Sequence, residues 1–296
     1  MNLQPLFPEP IIEQTLFPTA YADHTNDIWR VRTATEDVVV RSPRRAGEWD
    51  HAASAFWWGC RQLFGLDPTR PERLLTVNDI LARRSPLPVP RALRAGLVEG
   101  RPCIIVECLL GERVDDLRAL PPAALRTLGG TIATLHQERR DWYGTLDSTM
   151  HRPLADFHAD LAATLRELVA RFHQADRSLA APLERFCAAA LALPAPTYAT
   201  PIMLDVDATQ FLAADGRLTG LVDTDPYACG PPSTSSATNT NSTHPHPQPS
   251  RTATAPSPRS PISPPSARST ATSCASSAHR AQCRSTSGWR GQRTFE

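Results

Sequence analysis

The strongest constraint on this 296-residue chain lies at Gly230. Beyond it there is no Leu, Val, Met or Tyr, and Ile262, Trp289 and Phe295 are the only large apolar side chains among Ser, Thr, Pro, Ala and Arg. Such a segment cannot bury enough surface to offset its ordering entropy, so residues 231–296 are expected to form a disordered tail. Any fold must be built before that point. The chain is 41% apolar, enough for a core in one large domain or two small ones.

Charge is distributed unevenly along the chain. There is no lysine, so all 31 basic residues are arginine, a planar fork of donors rather than a compact point charge. From Pro231 onward there are seven arginines and one acid, Glu296, which leaves 24 of the 31 basic and 29 of the 30 acidic residues before it. The folding part is therefore mildly acidic. A nucleic-acid interface would rest on dispersed tail arginines with only Trp289 and Phe295 to stack on bases, so no nucleic-acid partner is expected. No apolar run approaches the length of a membrane span, and Met1-Asn2-Leu3-Gln4-Pro5 lacks the basic-then-apolar order of a secretion signal. These features point to a cytoplasmic protein without a membrane partner. The seven cysteines are scattered, with no C-x-x-C pair and no histidine spacing suited to zinc, and are expected to be reduced and structural.

Before Gly230 the pattern is α+β. Ile28–Arg32 and Val38–Arg41 read as strands of a hairpin turning near Thr35-Glu36-Asp37, residues 52–66 as a helix ending at Gly65, and Arg101–Glu107 as a buried strand. Three helices follow, one starting at Pro121-Pro122, one from about Pro153 to Phe172 and one over Leu183–Leu193. The Trp57-Trp58 pair is expected to split between the core and an interface. Ile202-Met203-Leu204 and Leu218–Val222 are short strands, each running into an aspartate.

Those aspartates form the central constellation. Asp205 and the amide of Gln210 share one loop, and Asp223 and Asp225 end the next strand. Phosphoryl transfer needs a carboxylate to orient or deprotonate a hydroxyl and oxygen ligands to hold magnesium on phosphates, and this stretch supplies both residue types. Isolated aspartates of this kind often only cap turns.

The stretch Asp205-Val206-Asp207-Ala208-Thr209-Gln210-Phe211-Leu212, with Val222-Asp223-Thr224-Asp225, resembles the aminoglycoside phosphotransferase and choline kinase group. That group has a loop H-G-D-x-x-x-x-N and a following strand ending I-D-x-E or I-D-x-D. Leu128–His136 is similar to its L-G-x-x-L-A-x-L-H helix, and Val106–Glu112 to its adenine-holding hinge. The resemblance implies a bilobal protein-kinase-like fold, with 1–106 as nucleotide lobe and 107–230 as a partial helical lobe. It implies ATP and Mg2+ as cofactors and a small-molecule hydroxyl as acceptor. Asp205 would be the catalytic base, Gln210, Asp223 and Asp225 the metal ligands, Arg41 the phosphate-pairing cation in place of lysine, and Glu107 and Leu109 the hinge contacts to nucleotide.

The sequence departs from the pattern at several points. Met203 and Leu204 replace the histidine and glycine, Gln210 the asparagine, and Arg41 the lysine, with Glu48 or Asp50 as its candidate partner. The phosphate-covering loop, residues 22–27, has no glycine and two acids. Two readings stay open, an ATP- and magnesium-dependent small-molecule kinase and a kinase-like relic that binds without turnover. The second lobe is expected to be incomplete, leaving Leu161, Leu165 and Phe172 partly uncovered. The tail from about Ser233 is expected to be a reading-frame product, because TCN serine codons read one base earlier become N-T-C codons for Phe, Leu, Ile or Val.

Overall fold

The hairpin expected near Thr35 forms as β2 (Asn26–Arg32) and β3 (Asp37–Pro43), with Val31 opposite Val38 and Ile28 opposite Arg41. The structure, a computed structural model, describes residues 1–18, 25–44 and 54–232. β1 (Glu13–Leu16), β4 (Ala92–Val98) and β5 (Arg101–Glu107) complete an antiparallel five-stranded sheet in the order β1-β2-β3-β5-β4. Alternate residues of a strand face opposite sides. Trp29, Val31, Val38, Val40, Cys103 and Ile105 therefore bury one face, under Leu3 and Phe7 of the N-terminal segment. Val39, Ile104 and Val106 share the other face, and Arg41, two residues from Val39, is directed the same way.

That second face packs on α2 (Leu74–Ala82), α3 (Pro122–Leu135) and the hairpin of β10 (Phe211–Ala214) and β11 (Arg217–Leu221). Leu74, Val77 and Leu81 of α2 recur at the i, i+3, i+7 spacing of one helical face and are all buried. α3 begins where the two prolines predict. β10 is flanked by β11 and by the two-residue β6 (Glu112–Arg113), and Asp215 and Gly216 turn the hairpin with positive φ of 50° and 70°.

A separate core is built from α1 (Ala55–Phe64), α4 (Phe157–Phe172) and a four-stranded sheet. The sheet orders β8 (His151–Pro153), β7 (Trp142–Thr145), β12 (Tyr227–Gly230) and β9 (Thr200–Met203). Ser54 caps α1 by accepting the Trp57 N–H, and Gly65 ends it in the left-handed region at φ 70°, where a Cβ would press on the Met150 sulfur. Cys60, Leu63 and Phe64 of α1 pack with Tyr143, Phe157 and Ile202. Trp58 is buried edge-on to Phe172 of α4, and Trp57 is half-buried against the same core.

The last helix, α5 (Ala180–Leu191), starts three residues before the expected Leu183 and stops two short of Leu193. Leu161, Leu165 and Phe172 of α4 are half-buried, while Phe186, Leu191 and Leu193 are exposed. Among the described residues no helix is long and apolar enough to cross a membrane. The predicted tail lies outside the described residues, apart from Pro231 and Pro232.

Candidate active site

Two loops converge because β9 and β12 pair, with Met203 opposite Tyr227. One loop follows β9 and the other precedes β12, and the Leu204 N–H donates to the Pro226 carbonyl at 3.2 Å. Asp205, one residue beyond Leu204, and Asp225, one residue before Pro226, are thereby brought to one place. The first loop tightens into a single 3-10 turn, Ala208–Gln210, capped by Asp207, whose Oδ1 accepts from the Thr209 N–H and hydroxyl at 2.8 and 2.6 Å. Asp207, given no role by sequence, is thus the residue that shapes the loop. The Val222 N–H donates to the Gln210 carbonyl at 2.9 Å, which sets Gln210 beside the start of the second loop.

The second loop, Asp223-Thr224-Asp225, is tied to the five-stranded sheet and α2 from several sides. The Leu221 N–H donates to the Pro88 carbonyl at 2.9 Å. The Thr224 hydroxyl donates to Asn78 Oδ1 at 2.5 Å, and Asn78 Nδ2 donates onward to the Pro90 carbonyl at 2.8 Å. Asn26 Nδ2, at the start of β2, donates to Asp225 Oδ2 at 3.3 Å. Each tether satisfies a polar group that burial would otherwise leave at a cost of about 1–3 kcal/mol.

Arg41 closes the arrangement. Its Nη2 donates to Asp223 Oδ1 at 2.9 Å and also to Asp225 Oδ2, and its Nη1 donates to the Val222 carbonyl at 3.4 Å. The Arg41 and Asp225 side chains are 7% and 10% exposed, whereas Asp223 keeps 43% of its surface in solvent. Burial works to lower the pKa of Arg41, but the charges of Asp225 and Asp223 overturn that effect and hold the guanidinium charged. Burial pushes Asp225 upward, with Arg41 pulling against it.

Asp205 is pushed up to about 6, first by the protein around it and then by the like charges of Asp223 and Asp207. The Gln210 amide, nearby, pulls weakly the other way, although neither end of it finds a hydrogen-bond partner in its buried position. The Asp205 charge also raises buried Cys60 on α1, after burial itself, so α1 lies along this side of the loop. The Asp205 side chain reaches solvent, so water screens these effects and they bear on its proton chemistry more than on fold stability.

The structure therefore joins Arg41, Asp223 and Asp225 directly, with Asp205 and Gln210 on the adjoining loop. Glu107 and Leu109 stand apart. The Glu107 carboxylate holds the Arg91 side chain and N–H, and Leu109 packs toward Gly220. Glu48 and Asp50, of which one or the other was the candidate partner of Arg41, lie outside the described residues; among those described, Arg41 is held by the two strand-end acids. Of the phosphate-covering loop only Thr25, Asn26 and Asp27 are described. Asp27 is neutralised by Arg44 and Arg101 at 2.8 and 2.9 Å, so its charge does not face a phosphate uncompensated. Asn26, Asn78 and Thr224 were missed by sequence reasoning. Asn78 alone left a signal, as an amide on the apolar face of α2.

A sequence profile described as the phosphotransferase enzyme family matches residues 19–234. The chain belongs to that family. Among curated proteins no sequence matches the chain. Among solved structures, a thermostable mutant of aminoglycoside phosphotransferase APH(4)-Ia in complex with ADP and hygromycin B is similar, with a TM-score of 0.53 and 15% identity over 80% of this chain and 74% of that one. A Haemophilus somnus protein assigned as a fructosamine-3-kinase gives 0.50 and 15% over 79% and 72%. These likenesses show the fold, the α+β kinase-like architecture that the motifs imply.

The magnesium expected on Gln210, Asp223 and Asp225 does not fit this phosphotransferase as it stands. The two carboxylates already share the Arg41 guanidinium, and Asp225 Oδ2 accepts from Asn26 as well. Among the described residues no group of three His, Cys, Asp or Glu is placed to hold an ion. Of the three expected ligands, Gln210 is the one whose side chain is left without a hydrogen bond.

Proposed function

We propose that this phosphotransferase moves the terminal phosphate of ATP to a hydroxyl of a small molecule, with Asp205 accepting or orienting the hydroxyl proton. The observation that carries the reading is the meeting of a buried, charged Arg41 with the strand-end acids, one loop away from a carboxylate poised near neutral pH. Phosphoryl transfer asks chiefly for positioning and charge, so a fixed cation for phosphate oxygens and a nearby base supply its main protein parts. Arg41 meets the phosphates, and the backbone around Glu107 and Leu109 receives the adenine. Glu107 is three residues along β5 from Ile104, the partner of Arg41, or about 10 Å at the rise of a strand, a span suited to a base at one end and phosphates at the other. The ADP and hygromycin B held by the APH(4)-Ia complex support a nucleotide donor and a small-molecule acceptor.

The test is incubation of the full chain with γ-labelled ATP and a panel of aminoglycosides, macrolides and amino sugars. Labelled product with at least one acceptor is expected, and no transfer to any of them together with no nucleotide binding would contradict the proposal. The bridge from Arg41 to both acids favours a second reading, a binding module without turnover. Nucleotide binding with no transfer is the result that selects it.

A further inference from the structure

The same bridge carries a conclusion that stands apart from the acceptor and from turnover. We infer that Arg41 is the resident counter-cation of the Asp223 and Asp225 carboxylates and closes that pair to divalent metal ions.

Two carboxylates two residues apart, one of them buried, repel each other and require a cation between them. In this chain the cation is a side chain of the protein itself, the Arg41 guanidinium. A single guanidinium nitrogen bonds both groups, and the side chain is almost wholly buried where it does so. Arginine suits the task for reasons that lysine lacks. Its planar fork reaches several acceptors at once, here two carboxylates through Nη2 and the Val222 carbonyl through Nη1, and it is not deprotonated in proteins, so no ordinary pH releases the pair.

A hard divalent ion needs the same lone pairs. Magnesium demands oxygen ligands at about 2.0–2.1 Å in near-octahedral order. Asp225 Oδ2 is already engaged by the Arg41 Nη2 and Asn26 Nδ2 donors, and an ion beside it would face a fixed positive charge at close range. What remains for an ion is the solvent-facing side of Asp223, whose Oδ1 is held by Arg41, with the exposed Asp205 carboxylate and the unpartnered Gln210 amide on the adjoining loop. One guanidinium against two carboxylates offsets half of their charge before any ligand arrives, and residue 41 weighs directly on what affinity for metal the pair keeps.

The experiment uses the full chain and Mn2+ as probe, with no nucleotide or acceptor present, so its outcome is independent of the phosphoryl-transfer reading. Mn2+ binding is read by electron paramagnetic resonance, and the melting temperature is followed with and without Mn2+ or Mg2+. The wild type is expected to bind Mn2+ weakly and to melt at the same temperature in either buffer. Arg41→Met is expected to melt lower than the wild type without metal, to bind Mn2+ roughly 100-fold more tightly, since a unit charge a few ångströms away weighs at least that much, and to regain much of its melting temperature on adding it. Asp223→Asn with Asp225→Asn in the Arg41→Met background is expected to remove the gained binding. Should Arg41→Met unfold in metal-free buffer, recovery of the native circular dichroism on adding Mn2+ supports the inference and no recovery overturns it. Wild-type binding as tight as that of Arg41→Met, or a folded Arg41→Met with no gain, also overturns it.

Discussion

Replacing Asp205 by alanine is expected to lower phosphate transfer by about 10²–10⁴-fold, the usual contribution of a positioned general base, while leaving nucleotide affinity close to the wild-type value. The two effects separate because Asp205 makes no bond to Arg41, the cation proposed to meet the phosphates. With Asp205 pushed up to about 6, the wild-type rate should rise as pH climbs through that value, since the base works only when ionised. The variant's residual rate should lack that limb. The fold should not suffer, because a carboxyl whose pKa is raised in the native state is a group whose charged form folding disfavours. Steady-state rates across pH and a melting curve check all of this. A loss of nucleotide affinity equal to the loss of rate would make Asp205 a binding residue instead.

Arg73→Met is expected to destabilise the protein by about 3–5 kcal/mol, a large part of the 5–15 kcal/mol typical of a folded domain. Arg73 precedes α2, and its Nε donates at 2.7 Å to Asp147 Oδ2 in the turn between β7 and β8, with the two side chains only 10% and 4% exposed. The bond thus staples the five-stranded sheet's side of the molecule to the four-stranded sheet, close enough to Asp225 for the Arg73 charge to act on it. Burial alone would raise Asp147, but Arg73, Thr145 and Thr149 outweigh it and hold the carboxyl at about 2. A depressed carboxylate stabilises the fold above its unfolded value of 3.8, and that contribution drains away as pH falls toward 2. Urea unfolding at neutral pH should show the full loss in the variant, and the gap to the wild type should narrow below about pH 4. A change under about 1 kcal/mol at neutral pH would contradict the role given to this pair.

Much of the fold was legible because local chemistry and packing agree. The Thr35 hairpin, the α1 stop at Gly65, the α3 start at Pro121-Pro122 and the apolar face of α4 each rest on a short-range rule that tertiary structure did not override. β4 was not legible, because Leu93 and Leu97 point outward while Arg94 and Gly96 are half-buried, which inverts the alternation that marks a strand. β12 was missed because all four of its residues are buried, so there is no period to read.

The site divides the same way. Asp205, Gln210, Asp223 and Asp225 stood out because they follow strand-like runs at a recognisable spacing. The bonds of Arg41 to Asp223 and Asp225 did not, since they run to residues 182 and 184 positions away, beyond the reach of local reasoning. Asn26 and Thr224 act through contacts of similar range, and nothing in their own neighbourhoods announces them.

The central claim, that Arg41 and the two acid loops form a nucleotide-phosphate site, is tested most directly by calorimetric titration of the full chain with a non-hydrolysable ATP analogue and, in parallel, with adenosine. The account expects saturable binding of the triphosphate, markedly tighter than that of adenosine, with most of the difference lost in Arg41→Met. Equal affinity for the two ligands, or triphosphate binding that survives the loss of Arg41 undiminished, would contradict it.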